Sequence, residues 1–395
     1  MKNKIIVQCG IKTEDEYWFV AGNTNGLFKK SLSTGQIDFV GFFPEEGKLA
    51  FRLYSDMTIV DDKIIFAPCH TKTFATYRLK EKTFSGIPIE NEGEDYYNQY
   101  LRLVTYQDSV YYIPFWASSF VKYSVRDESA EVLDEWNKIC NKYADPEIKN
   151  FIIDTICINH NCIYMFTSRN NRAVVLDMET DRFWIKELNI SAEEYITSAY
   201  LHDQTIWIVT DTNKIYRWNI VSDEQDFILD LGQSSETPGF YTHHLYVTDQ
   251  YLYRINVFDK NIRMFDLLSN EASILDMNEY IRDKEDDCIS LYYYFDVHCV
   301  DNKLYMYSFY DGKYIRVDGD EVTDMDILGN FYIPEEYWGN FYNEIVSKSC
   351  LMNLGMSFVE WLGHTLVSDK EVAEKNSNKN YVGKLIYNTV LKDVT

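Results

Sequence analysis

Along most of the chain, short stretches of alternating apolar and polar residues are separated by turn-forming groups. Val-Lys-Tyr-Ser-Val (121–125) and Ile-Tyr-Arg-Trp-Asn-Ile (215–220) alternate with period two and are rich in β-branched and aromatic side chains. That combination predicts strands rather than helices. One local pattern returns seven times: an Asp or Asn, a turn, then an aromatic residue or Ile. The first anchors of this pattern are Trp18, Ile65, Tyr111, Tyr164, Trp207, Tyr253 and Tyr305. Second anchors follow at Lys30, Tyr77, Tyr123, Leu176, Trp218, Phe265 and Val317, at distances of 12, 12, 12, 12, 11, 12 and 12 residues. The first anchors are 47, 46, 53, 43, 46 and 52 residues apart. Nearly fixed spacing within a unit belongs to a hairpin, and drift between units belongs to loops. An apolar strand precedes each Asp or Asn turn, as at 57–60, and another follows each second turn, as at 227–229. Each unit therefore predicts four strands, A to D.

Seven four-stranded units of this period predict an all-β chain folded as a seven-bladed β-propeller over residues 1–328. The blades are expected at about 1–48, 49–95, 96–145, 146–192, 193–236, 237–287 and 288–328. In its aromatic anchors and Asp turns the repeat resembles kelch-like and WD-repeat propellers. The kelch glycine doublet and the Gly-His and Trp-Asp signatures of WD repeats are missing, so the resemblance implies architecture alone. Residues 329–395 break the repeat. Leu351, Leu354, Phe358, Leu362 and Leu366 fall at helical spacing, and a second short helix is predicted at 382–391. This C-terminal loop and short helical extension would cap the ring or dock a partner.

Composition narrows the field. With 395 residues and 46% hydrophobic content, the chain can bury a core and is not disordered. Lys plus Arg is 38 against 62 Asp plus Glu, a net charge of −24. Nucleic acid is excluded as a partner, because a phosphate-binding face needs clustered cations. No apolar run reaches membrane-spanning length, so no membrane is expected. The eight cysteines form no C-x-x-C pair, which argues against structural zinc and for reduced thiols in a cytoplasmic protein. Glycine-rich phosphate loops, nucleophile elbows, H-E-x-x-H and EF-hand motifs are absent. No cofactor is expected, apart from a divalent metal that one group of residues would suit.

In a propeller, strand A lines the central channel. Nine residues before the first anchors lie Cys9, Asp56, Arg102, Thr155, Ser198, His244 and Asp296, all able to hydrogen-bond. Eight before lie Gly10, Met57, Leu103, Ile156, Ala199, Leu245 and Val297, all apolar or small. That switch predicts a polar ring at the channel mouth. His244, Asp296 and His298 could hold a divalent metal, or act as general acid and base. The plain alternative is a hydrogen-bonded polar plug. The B–C loops on the same face add His70, Trp116, Arg169, Arg172, Phe258 and Tyr310. Aromatic rings beside polar groups suit peptide or sugar recognition, and the arginines suit an anionic group. The sequence thus points to a non-catalytic scaffold that binds a protein, peptide or glycan through its loop face. The alternative is a hydrolase or lyase acting on a glycan or peptide at the channel mouth.

Overall fold

The computed structural model describes residues 7–325, except 23–24, 45, 48–49, 51, 90–98, 116–118, 144–150, 232–242, 257–258, 282–292 and 309–312. The two helices expected near the C-terminus lie outside the described residues. Within them the chain forms seven four-stranded antiparallel sheets, each made of four consecutive strands paired in the order A-B-C-D. The sheets span 7–41, 54–88, 100–132, 152–187, 196–230, 243–275 and 294–324. The fold is a seven-bladed β-propeller.

The anchors set the register. In every blade, the residue just before the first anchor faces the second anchor across the B–C pair, from Tyr17 opposite Lys30 to Leu304 opposite Val317. Each C–D turn contains one residue in the left-handed region: Gly35, Lys82, Glu128, Asp181, Asp223, Asn270 and Gly319. Such a residue lets a short hairpin reverse without splaying its strands.

Burial separates the strands by radius. B strands such as Lys63–Pro68 are buried throughout, and D strands such as Ser129–Val132 are exposed throughout. The A strands of blades 1 to 3, and those of blades 4 to 7, touch in succession around the axis. Period-two alternation in a B strand sends successive side chains to different neighbours. Ile64 and Phe66 pack toward blade 1, while Ile65 and Ala67 pack toward blade 3. Seven such interfaces close the ring, the last formed by Tyr307 of blade 7 against Phe19, Phe28 and Ile37 of blade 1.

One element has no counterpart in the repeat pattern. A helix, Asp134–Tyr143, follows strand D of blade 3, with Asp134 and Glu135 in its first turn, where the helix dipole favours negative charge. Its Trp136 is buried between blades 3 and 4, with Phe120, Phe151 and Phe183 around it. No helix among the described residues is long and apolar enough to cross a membrane.

Candidate functional site

Much of the expected polar ring works as inter-blade fastening. Asp56 accepts the backbone N–H of Leu103 in the next blade at 2.9 Å. Thr155 accepts that of Ala199 at 3.0 Å, and Ser198 that of Leu245 at 3.0 Å. In each case a side chain nine residues before its blade's anchor satisfies an N–H eight residues before the next anchor. The inner edge of strand A would otherwise carry an unpaired donor, which burial makes costly. A register shift in strand A accompanies each of these three residues. Such bulges turn the side chain toward the neighbouring blade.

The channel also holds Arg102, His244 and a residue that the sequence reading passed over, Asp154. Asp154 precedes Thr155 in the bulge of blade 4, so indexing by strict alternation discards it. Its Oδ1 is buried and has no hydrogen-bond partner among the described residues. Burial pushes its carboxyl up to about 7, against the opposing pull of the Arg102 guanidinium. Burial, and then the charge of Arg102, pull His244 down to about 4. Asp154 and His244 thus each respond to Arg102, with the carboxyl shifted up and the imidazole shifted down. Shifted ionisable groups of this kind cluster at functional sites but also occur in structural networks.

His298 has partners within its own blade. Its ring stacks on Tyr305 at 5.7 Å, and its Nε2 shares a 3.0 Å hydrogen bond with the Tyr314 hydroxyl. The backbone of Asp296 lies in the strand Tyr294–Val300, and its side chain is outside the described residues. Among the described residues, His202, Asp203 and Asp249 form a compact group of metal-ligating type at the A–B turns, on the opposite face. Asp249 is already hydrogen-bonded there to His202 and Asn302.

On the loop face, Trp116, Phe258 and Tyr310 lie outside the described residues. His70 is half-buried, and its backbone N–H donates to the Leu53 carbonyl. Arg169 and Arg172 come together at the walls of a concavity of about 590 Å³, formed by the B–C turn of blade 4 and the segment leading into blade 5. The turn is tight, with Asn170 and Asn171 both at positive φ, a conformation that Asn tolerates better than most residues. The Arg169 guanidinium lies 3.6 Å from the Tyr195 ring centroid. Arg172 lies 4.9 Å from that of Tyr143, at the end of the helix, and is paired with Glu187 at 3.1 Å.

The floor of this concavity is held rigidly. Asn171 is 6% exposed and donates through Nδ2 to the carbonyls of Ser191 and Glu194, at 2.8 and 2.9 Å. The buried Glu194 carboxylate accepts from Lys214 at 2.5 Å and from Thr210 and Tyr216 at 3.1 Å. Burial pushes the Glu194 pKa up, but these hydrogen bonds outweigh it and hold the carboxyl below its ordinary value. Tyr195 donates its N–H to Asp211 at 2.8 Å. Preorganised walls of this kind reduce the ordering cost of binding. Sequence reading marked both arginines but missed Asn171, whose side chain clamps one loop to another. Asn25 holds the equivalent place in blade 1, where it likewise donates to the Phe43 and Glu46 carbonyls.

Comparison with known proteins extends the fold but not the function. No family model and no curated protein matches the chain. Among solved structures, a computationally designed protein superposes with a TM-score of 0.53 at 10% identity, over 84% of this chain and 89% of the other. The extracellular domain of a putative one-component system from B. thetaiotaomicron gives 0.51 at 12% identity, over 78% of this chain and 38% of that one. PorZ, a bacterial surface component of the type-IX secretion system of Porphyromonas gingivalis, gives 0.50 at 11%, over 84% and 38%. The chain spans about 38% of the length of these two natural neighbours. At such identities the likeness is one of fold alone.

Proposed function

We propose that this protein is a recognition scaffold whose loop face binds a protein, peptide or glycan. The observation that carries this reading is the preformed concavity of about 590 Å³ at blade 4, with two guanidinium groups seated on tyrosine rings. Its volume falls in the range of small-ligand sites, about 300–1,000 Å³. Retention of binding partners on immobilised protein tests the reading, with an Arg169→Gln/Arg172→Gln double variant alongside. Partners held by the parent protein and lost by the variant support it. Identical sets on both would sink it.

The channel supports a second reading, a hydrolase or lyase acting on a glycan or peptide. Asp154, whose buried Oδ1 has no hydrogen-bond partner among the described residues and whose carboxyl is shifted up, is the observation in its favour. Loss of turnover in Asp154→Asn, on a panel of glycans and peptides, is the expected result for that reading. A metal-assisted form would rest on His244, Asp296 and His298, and elemental analysis before and after chelation tests it.

A further inference from the structure

The face opposite the recognition loops carries the A–B turns, and those of blades 5, 6 and 7 come together there. His202 closes strand A of blade 5, Ile196–His202, and Asp203 follows it in the turn at φ 52°. Asp249 lies in the corresponding turn of blade 6, between His243–Val247 and Tyr251–Asn256. One donor atom from each of the three lies within 4.8 Å of the other two. The His202 Nε2 is 3.0 Å from the Asp249 Oδ1 and 3.9 Å from the Asp203 Oδ2. Ligands bound at about 2.0–2.2 Å to one zinc ion stand about 3–4 Å from each other, so this spacing suits a ligand set. Asn302 of blade 7 donates through Nδ2 to the Asp249 Oδ2 at 2.5 Å. That bond leaves the Asp249 Oδ1 directed at His202, in the way outer partners orient a metal-binding carboxylate.

Access and charge agree with the spacing. Both carboxylates are exposed and the His202 ring is half-buried, so an ion reaches all three without opening the fold. Among the described residues, the ion pairs of Asp203 and Asp249 are with His202 alone. A neutral imidazole there leaves two negative charges side by side, which a divalent cation balances. The mixture of donors selects the cation. Carboxylates alone suit calcium or magnesium, whereas an imidazole nitrogen shifts the preference to zinc and its neighbours in the first transition row. We propose that His202, Asp203 and Asp249 form a zinc-type metal site that clasps blade 5 to blade 6, with water completing the coordination. The alternative is a plain His202–Asp249 hydrogen bond, which needs neither Asp203 nor an ion. The site shares no residue with the channel group His244, Asp296 and His298, or with the blade 4 concavity. It therefore stands or falls separately from both readings of function above.

The test is calorimetric titration of the chelator-stripped full chain with zinc chloride, and with magnesium chloride as the hard-cation probe. A net charge of −24 attracts every cation to some degree, so each arm compares affinities and not the mere fact of binding. Zinc is expected to bind the parent protein at least about tenfold more tightly than magnesium. His202→Ala should weaken zinc binding by at least about tenfold, the loss that removal of an outer partner alone brings. His160→Gln, which changes an exposed histidine in the A–B turn of blade 4, should leave zinc affinity as it is. Zinc should also raise the melting temperature of the parent more than that of His202→Ala, since an ion held only by the folded state stabilises that state. If His202→Ala does not fold, Asp203→Asn replaces it, a change at an exposed side chain, with the same tenfold loss expected. The comparison of zinc with magnesium on the parent needs no variant. Absence of saturable zinc binding, equal affinity for zinc and magnesium, or zinc affinity unchanged in the folded variant overturns the assignment.

Discussion

At the scale of single residues, the turns and the channel make separate demands. Lys82 sits in the left-handed region at φ 57° in the C–D turn of blade 2, where blades 1 and 7 use glycine. Its side chain is exposed. Removing the Cβ there relieves a steric cost of roughly 1–2 kcal/mol and adds backbone freedom to the unfolded chain. Lys82→Gly is therefore expected to stabilise the fold by about 0.5–1 kcal/mol. Urea unfolding should show a higher midpoint with an unchanged slope. Asp154 pulls the other way. Its folded pKa of about 7 lies above the ordinary 3.8, so between these values the folded state binds more protons than the unfolded one. Stability contributed by this group is present at low pH and is lost as pH rises toward 7. Asp154→Asn should accordingly raise the melting temperature more at pH 8 than at pH 5. An equal effect at both values would mean that ionisation of this carboxyl is not the cause. His244 carries the opposite sign: with its pKa lowered to about 4, its contribution fades as pH falls below the ordinary 6.5.

At the scale of elements, the helix Asp134–Tyr143 matters more than its ten residues suggest. Trp136 fills the seam between blades 3 and 4, and Tyr143 at the other end of the helix supports Arg172. Trp136→Ala is expected to cost about 3–5 kcal/mol in unfolding free energy. It should also loosen the wall of the blade 4 concavity, measurable as faster hydrogen exchange in the B–C turn of that blade. Neither the helix nor the concavity was legible in the chain, and the reason is physical. Anchors such as Tyr111 and Tyr123 repeat because every blade must bury the same B–C pair, so the fold shows as a period. The helix occurs once and leaves no period. The polar positions on strand A were visible as a class, since Asp56, Thr155 and Ser198 answer to one recurring unpaired N–H. Asp154 was hidden because a bulge moves the count by one. Arg169 and Arg172 could be recognised as cations on the loop face, but their convergence depends on Asn171 reaching across to Ser191 and Glu194, a tertiary contact with no local spacing.

At the scale of the whole molecule, charge and closure dominate. A net charge of −24 loads the compact state with self-repulsion. Raising ionic strength from 0.01 to 0.15 M shortens the screening length from about 30 to 8 Å. The melting temperature is therefore expected to rise over that interval in differential scanning calorimetry, and a fall would show that attractive ion pairs such as Lys214–Glu194 outweigh the net repulsion.

Closure depends on how the strands are shared out. Each described sheet takes all four of its strands from one continuous piece of chain, and blade 7 meets blade 1 through side chains such as Tyr307 and Phe19. Among the described residues, no blade takes a strand from a distant segment to complete its hydrogen bonding. During synthesis, each blade can complete its own ladder once its D strand has left the ribosome, but its apolar faces are covered only as its neighbours follow, so the emerging protein grows as an arc of packed wedges. Joining the ends of that arc is then a docking of side-chain surfaces, with no strand among the described residues exchanged across the seam.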